Sequence, residues 1–311
     1  MLKVKTLLEL AVGGVMLLAP VGLHAQSLKA VPLQDTGLNV ALGDITDSRT
    51  NGKFFQYLRI EVKLTGAALE TAFGATKPVV TEAVDDTGRS LVKSEDRKDP
   101  LFWNLQINDS KKTSLEQSTD LLNPARRATT ISMIGYVDVL APQADPDSIY
   151  TIKSFPASAG QLLAPKEVAK RGVEITVLTK PLAEKMKQEK AAAAEKKTET
   201  APPSASEALS QAFGKAFESL FAGFLRMGDN DLLFVVKDPQ GQVAYIQIAD
   251  ENGGALKTSS RTMSQDKDSG TYNYSVGLNA AVPATAQLKI YFATPKSLIH
   301  MPFKFENVPL P

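Results

Sequence analysis

Apolar and charged residues alternate strictly over residues 58–64 of the chain. A period of two places successive side chains on opposite faces of a β-strand, whereas a helix would scatter the apolar residues around its cylinder. The segment therefore predicts a strand with one face in a core and one face in solvent. The apolar and the charged members are, in turn, Leu58, Ile60, Val62 and Leu64, and Arg59, Glu61 and Lys63.

Short apolar or alternating segments of this kind recur along the chain, separated by turn-forming residues. Turn signals every 8–12 residues are typical of a β-sandwich or a small barrel. The polar segment 108–127 is expected to be an insertion, and the polar residues that follow Leu256 are expected to form a loop. Further strands are predicted at residues 28–48, 79–84, 101–107, 131–139, 148–155, 173–178, 232–236, 243–248, 272–278, 288–292 and 301–305.

An acidic turn occurs twice. Residues 85–91 (DDTGRSL) return 165 positions later as residues 250–256 (DENGGAL). Asp, Asn and Gly supply side chains that bond to the nearby backbone and tolerate positive φ, so each copy predicts a hairpin turn. Residues 137–156 also match residues 290–309 at a constant offset of 153. The two halves of the chain are therefore expected to be a tandem duplication, with an insertion near 108–127 accounting for the two offsets.

In this architecture and turn pattern the chain resembles the immunoglobulin-like modules of exported bacterial proteins. The resemblance covers both repeats. It implies a mainly β fold of two antiparallel, immunoglobulin-like β-sandwich domains, joined by a charged linker and an amphipathic α-helix. It implies no site residue, because no family motif is present.

The first 25 residues have the pattern of an export signal. Lys3 and Lys5 precede an apolar run from Leu10 to Leu23, and Ala25 offers a small residue for cleavage. The run is shorter than the roughly 20 apolar residues of a membrane-spanning helix. Residues 1–25 therefore predict a signal peptide. The mature chain is expected to be periplasmic or extracellular in a bacterium, with no transmembrane segment.

The chain contains no cysteine and two histidines. It therefore has no disulfides, thiolate nucleophiles or zinc–thiolate sites. His24 belongs to the predicted signal peptide, so His300 alone remains for a Ser–His pair or a metal. The formal charge of +1 gives no basic footprint for nucleic acid. No cofactor is expected.

Composition changes abruptly after Lys180. Residues 181–203 are rich in Ala, Lys and Glu and end in Pro-Pro, which predicts a solvated linker. Residues 204–227 carry apolar side chains at helical spacing, which predicts an amphipathic helix. The two β-sandwich domains are expected to span residues 27–180 and 229–311.

Four phenylalanines of the predicted helix are the candidate interaction surface. The helix is expected to pack this stripe onto the second domain. A partner protein, an equivalent helix in a dimer and a membrane surface remain as alternatives, the last being disfavoured because the polar face has no basic excess. The four residues are Phe213, Phe217, Phe221 and Phe224.

Asp266 and Asp268 are candidate calcium ligands. They alternate with Lys267 and precede Gly270, like a fragment of a calcium loop. The remaining acids of such a loop and its distal Glu are missing. Asp and Gly are also the ordinary residues of surface turns, and a surface turn is the favoured interpretation.

The sequence favours an exported, non-enzymatic structural or binding protein of the cell envelope, with an unknown protein or glycan partner. Two alternatives stay open. One is a carbohydrate-active hydrolase that uses a pair of carboxylates. The other is an extracytoplasmic assembly factor that pairs an edge strand with a client.

Replacing Phe217 with Asp tests where the phenylalanine stripe packs. We expect Phe217→Asp to lower the melting temperature of the second domain, because it places a charge on the packed face of the helix. Thermal unfolding by circular dichroism, run beside size-exclusion chromatography, measures this. Unchanged melting together with the loss of an oligomer or of a partner complex would show that the stripe binds another chain.

Overall fold

The computed structural model describes residues 37–49, 56–93, 105–108, 110–163, 165–195, 228–266 and 271–311, and their fold is mainly β, as predicted. The predicted signal peptide, Trp103 and the predicted helix 204–227 lie outside these residues. The strands are β1 (Asn39–Ser48), β2 (Tyr57–Thr65), β3 (Gly74–Thr76), β4 (Val79–Asp85), β5 (Leu105–Ile107), β6 (Ser114–Leu121), β7 (Thr130–Leu140), β8 (Ile149–Ile152), β9 (Leu162–Leu163), β10 (Glu174–Thr179), β11 (Asp231–Lys237), β12 (Val243–Ala249), β13 (Thr258–Asp266), β14 (Thr271–Leu278), β15 (Gln287–Phe292) and β16 (Leu298–Pro309). The α-helices are α1 (Lys166–Ala169) and α2 (Lys180–Glu195), and short 3-10 helices occupy Ala67–Glu70, Pro142–Ala144, Pro146–Ser148 and Phe155–Ser158.

Four antiparallel sheets form two β-sandwiches. The first sandwich consists of sheet 1, with the order β1-β2-β6, and sheet 2, with the order β16-β7-β3-β5 and β4 also paired to β7. The second sandwich consists of sheet 3, with the order β12-β15-β8, and sheet 4, with the order β13-β14-β11-β10-β9. Each sandwich has its own hydrophobic core between its sheets. Ile60, Val62 and Met133 are buried in the first core, and Phe234 and Ile290 in the second.

The two acidic turns are hairpins with the same hydrogen bonds. In the first copy Gly88 N–H donates to Asp85 O at 2.9 Å, which closes the turn. In the second copy Gly253 N–H donates to Asp250 O at 3.0 Å. The two glycines have φ of 84° and 87°, a conformation that favours glycine. The hairpin prediction is confirmed. The flanking bonds also agree at an offset of 165: Asp85 N to Arg89 O and Leu91 N to Ala83 O in one, Asp250 N to Gly254 O and Leu256 N to Ile248 O in the other.

The segment 108–127 is not an insertion, because β6 runs through it and pairs with β2 along eight residues. Its alternation was hidden by Gln117, a polar residue at a buried position. The Gln117 amide donates to Gln106 Oε1 at 2.6 Å, so its burial leaves no unpaired donor there. On the exposed face of sheet 1, Asp120 accepts two hydrogen bonds from Arg59.

The polar residues expected to form a loop after Leu256 are also a strand. β13 pairs with β14 and forms one edge of sheet 4. The prediction failed because an edge strand with one solvated face can be built from Ser, Thr and Gln. Asp266, one of the two calcium candidates, ends this strand opposite Thr271. Asp268 lies outside the residues that the structure describes.

The two sandwiches exchange strands. β7, in the first sandwich, is followed by β8, which pairs with β15 in the second. β15 is followed by β16, which returns to pair with β7 in the first. The predicted domains 27–180 and 229–311 therefore do not follow the sheets: β8, β9 and β10 come before residue 180 and lie in sheets 3 and 4, and β16 comes after residue 229 and lies in sheet 2.

Buried hydrogen bonds tie the two exchanging connections together where they cross. Ala141 N–H donates to Ser297 O at 2.7 Å, and Thr294 Oγ1 donates to Asp145 Oδ2 at 2.5 Å. Ser297 is fully buried, and its hydroxyl contacts Thr294 Oγ1 at 3.0 Å. The bond from Thr294 holds the pKa of Asp145 below its ordinary value, against the opposing effect of burial. We call Asp145, Ser148, Thr294 and Ser297 the crossing cluster.

The charged segment after Lys180 is inserted between two adjacent strands. β10 ends at Thr179 and β11 begins at Asp231, and Thr179 is paired with Leu232. Residues 180–230 therefore leave sheet 4 and return to it at neighbouring positions. Helix α2 begins the excursion and is anchored there, since Ala183 and Met186 are buried. The change of composition after Lys180 therefore marks a segment inserted into the β10–β11 hairpin.

Truncating Phe303 tests whether the C-terminal strand completes the first sandwich. Phe303 is buried on β16 opposite Gly135 of β7, where a Cβ on the glycine would come within 2.7 Å of the Phe303 ring. We expect Phe303→Ala to lower the free energy of unfolding by about 3 to 5 kcal/mol, as for other buried phenylalanines. Amide hydrogen exchange should show the loss of protection along β7.

The matched control for that variant is Lys304→Ala, on the exposed face of the same strand. Lys304 forms only a surface ion pair with Glu306, which predicts a change of less than about 1 kcal/mol. If Phe303→Ala reduced protection in β11 and β14 but left β7 unchanged, the assignment of β16 to the first sandwich would be wrong.

Candidate functional site

The acidic turns are not metal sites, because backbone and hydroxyl groups already occupy the carboxylate of the better buried copy. Asp85 Oδ1 accepts hydrogen bonds from Thr87 N, Thr87 Oγ1 and Arg89 N, and Oδ2 accepts one from Ala125 N at 2.8 Å. Burial raises the pKa of Asp85, but these bonds outweigh burial and lower the pKa to about 2. Within the described ranges, no group of three or more potential ligands is arranged to hold a metal ion.

His300 lies on the surface of the exchanged strand β16. Its Nδ1 is 2.8 Å from Asp138 Oδ1 on β7, and its ring is 4.2 Å from that of Tyr136. Burial raises the pKa of Asp138, and the contact with His300 opposes that rise. Among the described residues, the hydrogen-bond partner of the His300 ring is the Asp138 carboxylate, and no Ser or Thr hydroxyl is bonded to the ring. The arrangement is a cross-strand contact on the outer face of sheet 2.

The described residues form a cleft on the open side of the second sandwich. It has a volume of about 510 Å³ and lies between β12, at the edge of sheet 3, and β13 and β14 of sheet 4. The chain from Ala255 to Thr258 crosses from one sheet to the other and forms one end of the cleft. Its lining residues are Tyr245, Ile246, Gln247, Ile248, Ala255, Leu256, Lys257, Thr258, Arg261, Tyr274, Val276 and Asn279.

Two tyrosines and an arginine join the two sheets across this cleft. The Arg261 guanidinium lies 5.2 Å from the ring centroid of Tyr245, within cation–π range. The side chains of Tyr245 and Tyr274 are hydrogen-bonded. Burial raises the pKa of Tyr274, while the nearby charge of Arg261 and the bond to Tyr245 lower it.

A further layer of aromatic side chains fixes the wall formed by β12. Tyr291 Oη donates to Gln247 Oε1 at 2.9 Å, which leaves the amide nitrogen of Gln247 as its remaining donor group. Phe73, from the first sandwich, stacks on Tyr291 at 4.2 Å and lies 5.2 Å from Tyr245. Burial raises the pKa of Tyr291 to about 12. The wall is therefore held from behind by rings of both sandwiches.

The charged side chains that line the cleft are both cationic. They are Arg261 and Lys257, and the lining contains no carboxylate. Arg261 is opposite Val276 in the β13–β14 ladder, so it lies on the same side of sheet 4 as the cleft, where its side chain remains exposed. Asp231 approaches Gly277, the next position of β14, and so lies on the opposite face of sheet 4.

The first sandwich differs at the corresponding place. Leu91, which follows the first acidic turn, is fully buried. Its counterpart Leu256 is only half-buried and lines the cleft. The sequence analysis named none of the cleft residues as candidate site residues. The one sequence signal of the cleft was Arg261, a long charged side chain within a segment of Ser and Thr. Its position beside the cleft could be inferred only after this segment had been assigned as a strand.

The predicted interaction residues Phe213, Phe217, Phe221 and Phe224 fall outside the described residues. No described helix has the length and apolar character needed to cross a membrane. Comparison of the chain with models of known protein families, with curated proteins and with solved structures finds no match.

Neutralising Asp85 should change how stability depends on pH. The ordinary carboxyl pKa of 3.8 is lowered to about 2 in the fold, so the stabilisation is complete above about pH 3.8 and is lost as the pH falls towards 2. Asp85→Asn removes this dependence and is expected to cost about 1 to 3 kcal/mol at neutral pH, because buried donors lose a charged acceptor. Urea unfolding at a series of pH values measures both effects.

Glu82→Gln provides the control, since it removes a carboxylate from the exposed side of the same strand. An unchanged slope of unfolding free energy against pH in Asp85→Asn would contradict the role given to the turn.

Proposed function

We propose that this is an exported, non-enzymatic binding protein of the bacterial envelope, whose ligand occupies the cleft of the second sandwich. The cleft itself is the observation that carries the proposal. Its volume of about 510 Å³ lies within the range of small-molecule sites, which runs from about 300 to 1,000 Å³. Its walls combine apolar side chains with a few polar groups held in place, as such sites require.

The rigidity of the walls supports a binding role. Tyr245 is held by Arg261 and by Phe73, and Gln247 is held by Tyr291. Side chains fixed before the ligand arrives lose little conformational freedom on binding, so more of the contact energy is retained as affinity.

Export, tandem duplication and an immunoglobulin-like origin remain part of the proposal. Export is supported by the pattern of residues 1–25. Duplication is supported by the matching turn bonds and by equivalent strand orders, β1-β2-β6 in sheet 1 and β10-β11-β14 in sheet 4. The antiparallel sandwiches are compatible with an immunoglobulin-like origin.

We further propose that the phenylalanine stripe packs on the outer face of sheet 4. Leu178, Leu233 and Val235 are at most 3% exposed, yet they do not belong to the core between sheets 3 and 4. They point to the opposite face, beside the strand ends from which residues 180–230 depart. We therefore expect the phenylalanine stripe to pack against this apolar face.

The hydrolase and the edge-strand assembly factor are the two alternative functions, and the structure supports them unequally. A carboxylate-pair hydrolase finds no support at the cleft, because the lining contains no carboxylate. Edge-strand pairing is favoured by one observation: β13 is the outermost strand of sheet 4 and bonds to β14 on one side. Thr262→Pro would remove a backbone donor from that edge, and it would abolish capture of an extended client if this alternative held.

Filling the cleft tests the main proposal. Leu256→Trp places a larger ring in the cleft, and we expect it to weaken binding of the neutral fluorescent probe N-phenyl-naphthylamine about tenfold or more, since the apolar area available to the probe is lost. Fluorescence titration of the mature protein gives the dissociation constant.

The control is Leu162→Trp. Leu162 is 52% exposed on β9, at the opposite edge of sheet 4. It lies four strand spacings from β13, or roughly 19 Å. Equal loss of probe binding in both variants, or no loss in Leu256→Trp, would show that the cleft is not the binding site.

A further inference from the structure

We infer that the ligand of the cleft is a small amphipathic anion, with an aromatic or aliphatic body and one acidic group held by Arg261 and Lys257. This inference rests on the proposed binding function and adds to it the chemical class of the ligand. It depends on the charge of the lining, on the direction of Arg261 and on the shape of the closed end.

The charge of the lining selects an anion. Lys257 and Arg261 both line the cleft, and neither forms an ion pair with a carboxylate of the described residues. Both side chains are exposed, and the Arg261 guanidinium already lies over one ring face. Tyr245 supplies the ring face. The N–H groups at the rim of the guanidinium remain for an acidic oxygen, the geometry in which Arg binds carboxylates and sulfonates.

Neutral donors reinforce that preference. Asn279, Thr258 and the Gln247 amide line the same space, and each can donate to an anionic oxygen. Gln247 presents its amide nitrogen because Tyr291 Oη already donates to its Oε1 at 2.9 Å. An ammonium ligand would meet two cations and these donors, with no carboxylate in the lining to receive it.

The rest of the lining accommodates an apolar body. Leu256 presents half-buried aliphatic surface, and Ile246, Ile248 and Val276, each at most 5% exposed, belong to the core beside it and the Tyr245 and Tyr274 rings. Burying a ring or a short chain against this surface is favourable by about 25 cal/mol per Å² of apolar area. An inorganic anion would leave it unused.

The cleft is closed at one end, which favours a small molecule over an extended peptide. Ala249 and Ala255 are bridged, and Leu256 N–H donates to Ile248 O at 2.9 Å. A peptide strand added along β12 would have to displace this hairpin to continue. A compact ligand fits between the hairpin and Arg261 without doing so.

Two probes with the same aromatic body test the inference. Anilinonaphthalene sulfonate carries a sulfonate, and N-phenyl-naphthylamine is the same body without it. We expect the mature protein to bind the sulfonate at least about tenfold more tightly, as one charge-assisted hydrogen bond would give. Arg261→Gln combined with Lys257→Gln should abolish this preference, so that the two probes bind the variant with dissociation constants within about twofold of each other. The preference should also decline as salt concentration rises.

Lys153→Gln is the control, because it removes one positive charge from a residue that does not line the cleft. Thermal unfolding of each variant excludes misfolding as the cause. If both probes bound equally, in a manner sensitive to Leu256→Trp, the ligand class would be wrong and the binding function would stand. If Leu256→Trp affected neither probe, the binding function itself would fail. An acidic peptide that displaced the sulfonate better than simple amphipathic anions do would overturn the assignment to a small molecule.

Discussion

The hydrogen bonds of the crossing cluster join the two connections through which the sandwiches exchange strands. Two connections of similar length pass each other between the sandwiches, and each carries its chain into the other sheet. Asp145, Thr294 and Ser297, each at most 8% exposed, hydrogen-bond to one another there. A buried polar group is costly when unpaired, so the cluster favours one arrangement of the connections over others that would separate its members. Both hydrophobic cores depend on this choice, because each includes a strand that the crossing delivers.

The same topology explains the placement of the cleft. Sheet 3 has three strands, with β8 at one edge and β12 at the other. The imported strand closes the β8 side of the second sandwich, and the chain that leaves the second acidic turn only partly closes the β12 side. In the first sandwich the equivalent leucine, Leu91, fills this space. At this place the two sandwiches therefore differ in Leu256 and in the cationic residues that follow it.

The fold class and the position of most strands could be predicted from the sequence, because alternation such as that of residues 58–64 directly reflects one buried face. The turns at Asp85 and Asp250 could be predicted for the same local reason. β6 and β13 were missed because their alternation is masked, in one by the buried Gln117 and in the other by an edge composed of Ser and Thr. The exchange of β8 and β16 could not be read from the sequence, since equivalent strands have equivalent patterns. The cleft could not be predicted either, because its residues come together only once β12, β13 and β14 are placed.

The exchange also fixes an order in which the molecule can be completed during synthesis. The strands of the second sandwich span residues 149–292, whereas the first sandwich needs β16 (Leu298–Pro309), which follows them in the chain. The first sandwich is therefore the last to be completed, because Ile131 of β7 pairs with Val308 of β16. Pairings so distant in sequence form slowly, because the intervening loop must be closed before any contact stabilises it. A nascent chain with this topology remains incompletely folded until β16 has emerged.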